Sequence, residues 1–160
     1  MSASPSSHYL SCQGREIHYV EWGSEHAETV IAWHGLARTG RDMDELARHL
    51  STRYRVIAPD TLGRGLSQWS PDPDREYCLD FYVKLATALV DQLGLQQFHW
   101  VGTSMGGAIG TLAAATSLRG RIRRLVLNDN GPELAAPAIE RIRSYAGQPA
   151  AFDTVSELEQ

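Results

Sequence analysis

Residues 98–110 read FHWVGTSMGGAIG. The apolar run Phe98–Val101 has the character of a buried strand, and the alanine- and leucine-rich stretch from Met105 onward has that of a helix. Ser104 lies between them, inside Gly102-Thr103-Ser104-Met105-Gly106-Gly107. Small residues at 102 and 106 suit a sharp strand-to-helix bend, where the two backbones pass close to each other. Such a bend is expected to thrust the Ser104 side chain into the crevice at the carboxyl end of the strand. The amides of the first helical turn would then face an oxygen bound beside it. The pattern Gly-x-Ser-x-Gly, in this strand–turn–helix context, is that of a nucleophile elbow.

The same alternation of short apolar runs and amphipathic stretches extends in both directions. HYLSC and EIHYVEWG flank Gln13-Gly14-Arg15 and predict a hairpin. TVIAWHG (29–35) and YRVIAPD (54–60) predict buried strands, and IRRLVLND (122–129) a further one. Met43, Leu46, Ala47 and Leu50 fall at helical spacing within 40–50. Tyr82, Leu85, Ala86, Leu89, Val90 and Leu93 do so within 77–93, with Gly94 as the helix stop. Residues 61–76 read as loop. Strands apolar on both faces and alternating with helices imply a mostly parallel sheet flanked by helices, the α/β class. After Asp129 the character changes. Pro132, Pro137 and Pro149 punctuate two short helix candidates near 136–146 and 154–160, the second capped by Asp153 or Thr154.

The chain has 160 residues, 42% of them apolar and 21% charged, and a net charge of −4. That balance offers no broad basic face for nucleic acid. The Arg119, Arg121, Arg123, Arg124 cluster reads as a solvated helix end and strand start. Cys12 and Cys78 are too few for a disulfide framework, so a reducing compartment is the default. The polar N-terminus is unlike a signal peptide, and no apolar run reaches membrane-spanning length. A cytoplasmic protein is expected.

The motifs WHGLARTG (33–40), APDTLGRGLS (58–67), VGTSMGGAIG (101–110) and LVLNDNGP (125–132) occur in that order. Together they resemble the α/β-hydrolase fold superfamily, over about residues 14–133. Within it the match is to serine hydrolases of the esterase, lipase and carbon–carbon hydrolase kind. The resemblance implies strand order 1-2-4-3-5-6, with the first strands antiparallel and the fold's last strands lacking here. It makes Ser104 the nucleophile and the backbone N–H groups of Leu36 and Met105 the oxyanion hole. His34, Gly35 and Trp69 are the residues expected on the substrate side, His34 through shaping the oxyanion loop. Trp33, Leu36, Trp69 and Met105 suggest an apolar lining, though each residue type is more often core. Asp60, Gly63, Gly65 and Ser67 match the family's Asp-x-x-Gly-x-Gly-x-Ser stretch, which shapes a loop beside the site.

The rest of a triad is less clear from the residues. Asp129 is a candidate acid, against a turn or loop-anchoring role shared with Asn128; Asp60 is a weaker candidate. All six histidines, His8, His18, His26, His34, His49 and His99, precede Ser104. His99 lies five residues upstream on the same strand, about 16 Å away at strand rise. The family order is serine, acid, histidine, so the base is expected later than any histidine present. Residues 1–133 are therefore expected to be the N-terminal part of a hydrolase core, and 134–160 the start of a cap or lid. The expected function is hydrolysis of an ester or related small-molecule acyl substrate through an acyl-enzyme, because serine forms an acyl intermediate where aspartate forms an alkyl ester. Perhydrolysis would use the same site. No cofactor and no metal are implied, and the oligomeric state is left open. The alternative is a non-catalytic binding module or an incomplete fragment of such an enzyme.

Overall fold

The computed structural model describes residues 4–131, 136–146 and 154–158. The chain divides into two compact units, Met1–Asn130 and Gly131–Gln160.

In the first unit, β1 (Ser6–Cys12) and β2 (Arg15–Trp22) form the expected antiparallel hairpin. Its two-residue turn, Gln13-Gly14, has φ of 53° and 72°, the mirror-image turn whose twist matches that of the flanking strands. β2 pairs antiparallel with β4 (Arg55–Pro59), and β3 (Thr29–Trp33) lies parallel to both β4 and β5 (Phe98–Thr103). β6 (Ile122–Asn128) runs parallel to β5. The six-stranded order is β1-β2-β4-β3-β5-β6, as the resemblance implies. β3 is buried at every residue, so the sheet is covered on both faces at its centre.

Strand alternation sends the core to two sides. Ile31, Trp33, Ile57 and Trp100 pack with α3 (Leu79–Gln92) and α4 (Met105–Ala115), where Leu85, Leu89 and Ile109 are fully buried. Val20, Trp22, Val30, Ala32, Val56 and Ala58 pack instead with Met43 and Ala47. Each wholly buried Leu or Ile contributes about 1.5–3 kcal/mol by leaving water. α3 ends as its sequence predicts. Gly94 N–H donates to the Asp91 carbonyl and Leu95 N–H to that of Val90 (3.0 Å each), the paired bonds that satisfy the last carbonyls of a helix.

Two local elements differ from expectation. The helix expected from residue 40 opens as a 3-10 turn, Gly40–Met43, before α1 (Asp44–Leu50). In the expected loop, Pro73–Glu76 makes a short helix, α2, with Pro73 in the first turn, where its missing N–H does no harm. Glu76 fastens it, accepting from Arg15 Nε (2.8 Å) and Ser70 Oγ (2.7 Å).

In the second unit, α5 (Ala136–Tyr145) and α6 (Val155–Leu158) fall where the two helix candidates were expected. Glu157 N–H donates to Thr154 Oγ1 (3.3 Å), which makes Thr154 the cap; Asp153 and Pro149 lie outside the described residues. Among the described residues, no helix is long and apolar enough to cross a membrane.

The loop after β4 is organised by one buried carboxylate. Asp60 Oδ1 accepts the Gly40 N–H (2.6 Å), and Oδ2 accepts the Leu66 N–H and the His18 ring (2.8 Å each). Ser67 Oγ donates to the Asp60 carbonyl (2.7 Å) and accepts the His18 N–H (2.9 Å). Asp60 is thus a loop anchor, committed away from Ser104. Asp60→Ala would strand two buried donors, the Gly40 N–H and His18 Nδ1–H, and release the part-buried Leu66 N–H. At about 1–3 kcal/mol for each unsatisfied buried group, the variant is expected to lose at least about 2 kcal/mol, read as a lower urea midpoint.

Candidate active site

Ser104 follows β5 with φ 50° and ψ −113°, a conformation that costs a side-chain-bearing residue about 1–3 kcal/mol. Two backbone bonds hold it there. Its N–H donates to the Asn128 carbonyl at the end of β6 (2.8 Å), and its carbonyl accepts the Ala108 N–H (3.0 Å). The hydroxyl makes no capping bond to the helix. Among the described residues, no hydrogen bond engages it. A plain helix cap is therefore not what this serine is.

The glycines around it are required by contact. A Cβ on Gly102 would fall on the Gly106 carbonyl. A Cβ on Gly106 would fall on the Trp33 carbonyl and 2.8 Å from that of His34. The start of α4 thus rests on the ends of β3 and β5, backbone on backbone. Beneath it, Trp33 and Trp100 stack at 5.2 Å, and Trp100 Nε1–H donates to the Gly106 carbonyl (3.0 Å). Gly35, in the loop after β3, is close enough that a Cβ there would sit 3.8 Å from Ser104 Cβ.

Two amides beside Ser104 are oriented through the other side of their own peptides. Every peptide bond is trans, so a fixed carbonyl aims its partner N–H the opposite way. The Gly35 carbonyl accepts from His34 Nδ1 (2.7 Å) and Arg38 N–H (3.3 Å), which turns the Leu36 N–H away from them. The Ser104 carbonyl is held inside the helix by Ala108, which turns the Met105 N–H out of the helix start. Among the described residues neither N–H meets an acceptor. Two free amides flanking a strained serine can hold an oxygen that gains negative charge.

His34 is fully buried. The Thr61 N–H donates to its Nε2 (2.9 Å), so Nδ1 carries the proton given to Gly35. Burial is the main cause holding this imidazole below its ordinary range. Its ring ties the loop after β3 to Thr61, with no free nitrogen for proton transfer. The other histidines are engaged elsewhere: His8 with Ser6, His18 with Asp60, His26 with Ser51, His49 with Glu45 and His99 with Glu28.

The remaining expected residues are dispersed. Leu36 is 38% exposed, Met105 is buried, and Trp69 stands 77% exposed on the loop before α2. No hydrogen bond or ring contact joins Trp69 to Ser104 among the described residues. Trp33 is core, stacked and buried. Asp129 is exposed at the carboxyl end of β6 with φ 59°. Its neighbour Asn128 donates to Thr103 Oγ1 (3.2 Å). Arg64 was missed by the sequence reading. Its Nε donates to the Leu36 carbonyl (3.1 Å), and its Nη1 to the Leu62 carbonyl (2.9 Å) and Tyr82 hydroxyl (2.7 Å). Its guanidinium also lies 5.5 Å from the rings of Tyr77 and Tyr82. The one available signal was its place between Gly63 and Gly65.

Residues 28–153 match the alpha/beta hydrolase fold family. The chain belongs to that family. The 3-hydroxybutyrate-oligomer hydrolase of Cupriavidus necator is 41% identical to this α/β-hydrolase chain over 98% of it, and haloalkane dehalogenase 2 of Mycobacterium tuberculosis is 31% identical over 84%. A crystal structure of an alpha/beta hydrolase from Novosphingobium aromaticivorans superposes with a TM-score of 0.84 at 36% identity, over 91% of this chain and 51% of that one. The chain spans about half the length of these relatives, 55% and 46% of the two curated proteins.

Two outcomes follow for this α/β-hydrolase. Gly106→Ala is expected to destabilise by at least about 3 kcal/mol, the upper end for overpacking, since its neighbours are backbone; chemical denaturation reads this directly. For His34, the folded chain binds its proton less readily than the unfolded chain does. Stability should therefore decline as pH falls below about 6.5, at up to about 1.4 kcal/mol per pH unit. The decline from this residue ends once His34 protonates in the folded state. Thermal midpoints between about pH 8 and pH 5 should show a shallower acid slope for His34→Gln.

Proposed function

We propose that the protein is a serine hydrolase that cleaves an ester or related acyl substrate, with Ser104 as nucleophile and the Leu36 and Met105 amides as oxyanion hole. The observation that carries this reading is the strained Ser104, its hydroxyl uncommitted, beside two amides aimed by their own carbonyls. Ser104 Oγ attacks the carbonyl carbon, the bond to the leaving oxygen breaks, and water releases the acyl group from the enzyme. Each oxyanion donor of this kind contributes about 3–4 kcal/mol to the transition state.

The proton from Ser104 needs an acceptor, and all six histidines of residues 1–160 are engaged elsewhere. The base in this proposal lies outside these residues. Asp129, at the carboxyl end of the strand beside β5, is the proposed acid. Residues 134–160 are proposed to begin a cap, following β6 as an insertion would. The relative from Cupriavidus necator is named for 3-hydroxybutyrate oligomers. An oligo-ester of short hydroxy acids is accordingly the proposed substrate class, and its ester bond suits acyl transfer to serine rather than alkyl transfer to aspartate.

The test is labelling of the whole protein with a fluorophosphonate, followed by peptide mapping. The peptide containing Ser104 should carry the label, and Ser104→Ala should lose it together with turnover of 3-hydroxybutyrate dimer and trimer esters. A folded protein unlabelled at Ser104 would end the proposal.

A further inference from the structure

A second serine stands on a buried imidazole, away from β5. In the β1–β2 hairpin Tyr9 pairs with His18 and Ser7 with Val20, so Ser7 and His18 are diagonal neighbours on one face of the sheet. β2 also pairs with β4, Tyr19 opposite Pro59, which brings Asp60 beside His18. Ser7 Oγ lies 2.5 Å from His18 Nε2, and His18 Nδ1 lies 2.8 Å from Asp60 Oδ2.

The surrounding bonds assign the protons. The Asp60 carboxyl oxygens accept the N–H groups of Gly40 and Leu66, so both are acceptors. The hydrogen between His18 and Asp60 therefore sits on Nδ1. In the neutral ring Nε2 then keeps its lone pair, and the Ser7 hydroxyl donates to it. His18 and Asp60 are each 2% exposed, whereas Ser7 is exposed. Ser7 opens onto a cavity of about 310 Å³ that His18, Asp60, Thr39 and Arg41 also line. Asp60 is satisfied by two amides and His18, and Ser7 is the partner of the buried His18 Nε2.

We propose that Ser7, His18 and Asp60 form a second nucleophilic site, separate from Ser104, that accepts short acyl groups from activated esters. Ser7 Oγ bonds to the carbonyl carbon while its proton passes to His18 Nε2. Asp60 stabilises the imidazolium. The bond from carbon to the leaving oxygen then breaks, and that oxygen takes the proton back from Nε2. Arg41 gives one nitrogen to Asp44 (2.6 Å). Its other N–H groups, with the Thr39 hydroxyl, are the donors available to the substrate's oxygens. The acyl-serine is an alkyl ester, a poorer acyl donor than the activated ester that forms it, so deacylation is slow and the acyl-serine accumulates.

The experiment uses the intact protein carrying Ser104→Ala, treated with p-nitrophenyl acetate and followed by peptide mass spectrometry. One acetyl group is expected on Ser7, absent in the further variant Ser7→Ala. General-base assistance contributes roughly 10²–10⁴-fold, so His18→Gln should slow this acetylation at least about 100-fold. A folded Ser104→Ala protein with no acetyl on Ser7 overturns the proposal, as does acetylation that His18→Gln leaves unchanged. Should His18→Gln not fold, Ser7→Cys decides. Its thiol should react with iodoacetamide faster than the exposed Cys78, and an equal or slower rate overturns the proposal. Loss of fluorophosphonate labelling at Ser104 bears only on the first site.

Discussion

The close passage of α4 across the ends of β3 and β5 is the constraint on which the site depends. Gly102 and Gly106 meet backbone on backbone, and Gly106 meets the carbonyls of Trp33 and His34. Nothing with a Cβ fits, and a carbonyl cannot swing aside as a side chain can. Once the helix starts so near the strand, only an abrupt turn can join them, and Ser104 occupies it at φ 50°. The strain there, about 1–3 kcal/mol, is over-determined by the stacked indoles below and by the β6 carbonyl that receives the Ser104 N–H. A hydroxyl on such a turn stands clear of the sheet and of the helix.

The proposed oxyanion donors are positioned by the same economy. Neither the Leu36 nor the Met105 amide is steered by a group that touches it. Each is aimed from behind, because a planar trans peptide converts a held carbonyl into a directed N–H. His34 and Arg38 hold one carbonyl and the first turn of α4 holds the other. Arg64 then ties the Leu36 carbonyl to the loop after β4, and Asp60 ties that loop to Gly40 and β2. The loops after β3 and β4 are therefore tied together, and the geometry beside Ser104 is set partly by a carboxylate that takes no part in the chemistry proposed at Ser104.

The elements that could be read from the sequence alone share a physical reason. β3, β4 and β5 are apolar on both faces, and the elbow glycines fall in a fixed local pattern between a strand and a helix, although Gly106 is required by the distant carbonyls of Trp33 and His34. The hairpin turn and the stop at Gly94 are equally local. What escaped reading depends on partners far apart in the chain. His18 meets Asp60 only because β2 pairs with β4, and Arg64 meets Leu36 and Tyr82 only once two loops and α3 converge. Trp33 illustrates the limit: from sequence it could line a pocket or, more often for its type, fill the core, and strand parity decides for the core by sending its indole under the sheet onto Trp100. The α2 turn was hidden because Glu76 holds it through Arg15, sixty-one residues away.

The histidines carry the argument one step further. Each of the six bonds a neighbour that stabilises a hairpin, a helix end or a loop, and none reaches Ser104. In residues 1–160, then, the amides proposed to stabilise charge stand apart from any imidazole that could move the Ser104 proton. These two are energetically distinct: an oxyanion hole with substrate binding gives roughly 10³–10⁴-fold over water when the triad is removed. The geometry around Ser104 is complete without a base, because backbone carbonyls, glycine contacts and the fixed bond from His34 to the Gly35 carbonyl maintain it. A base delivered from elsewhere in the protein would meet a serine and two amides already in place, so it need supply only proton transfer and none of the order.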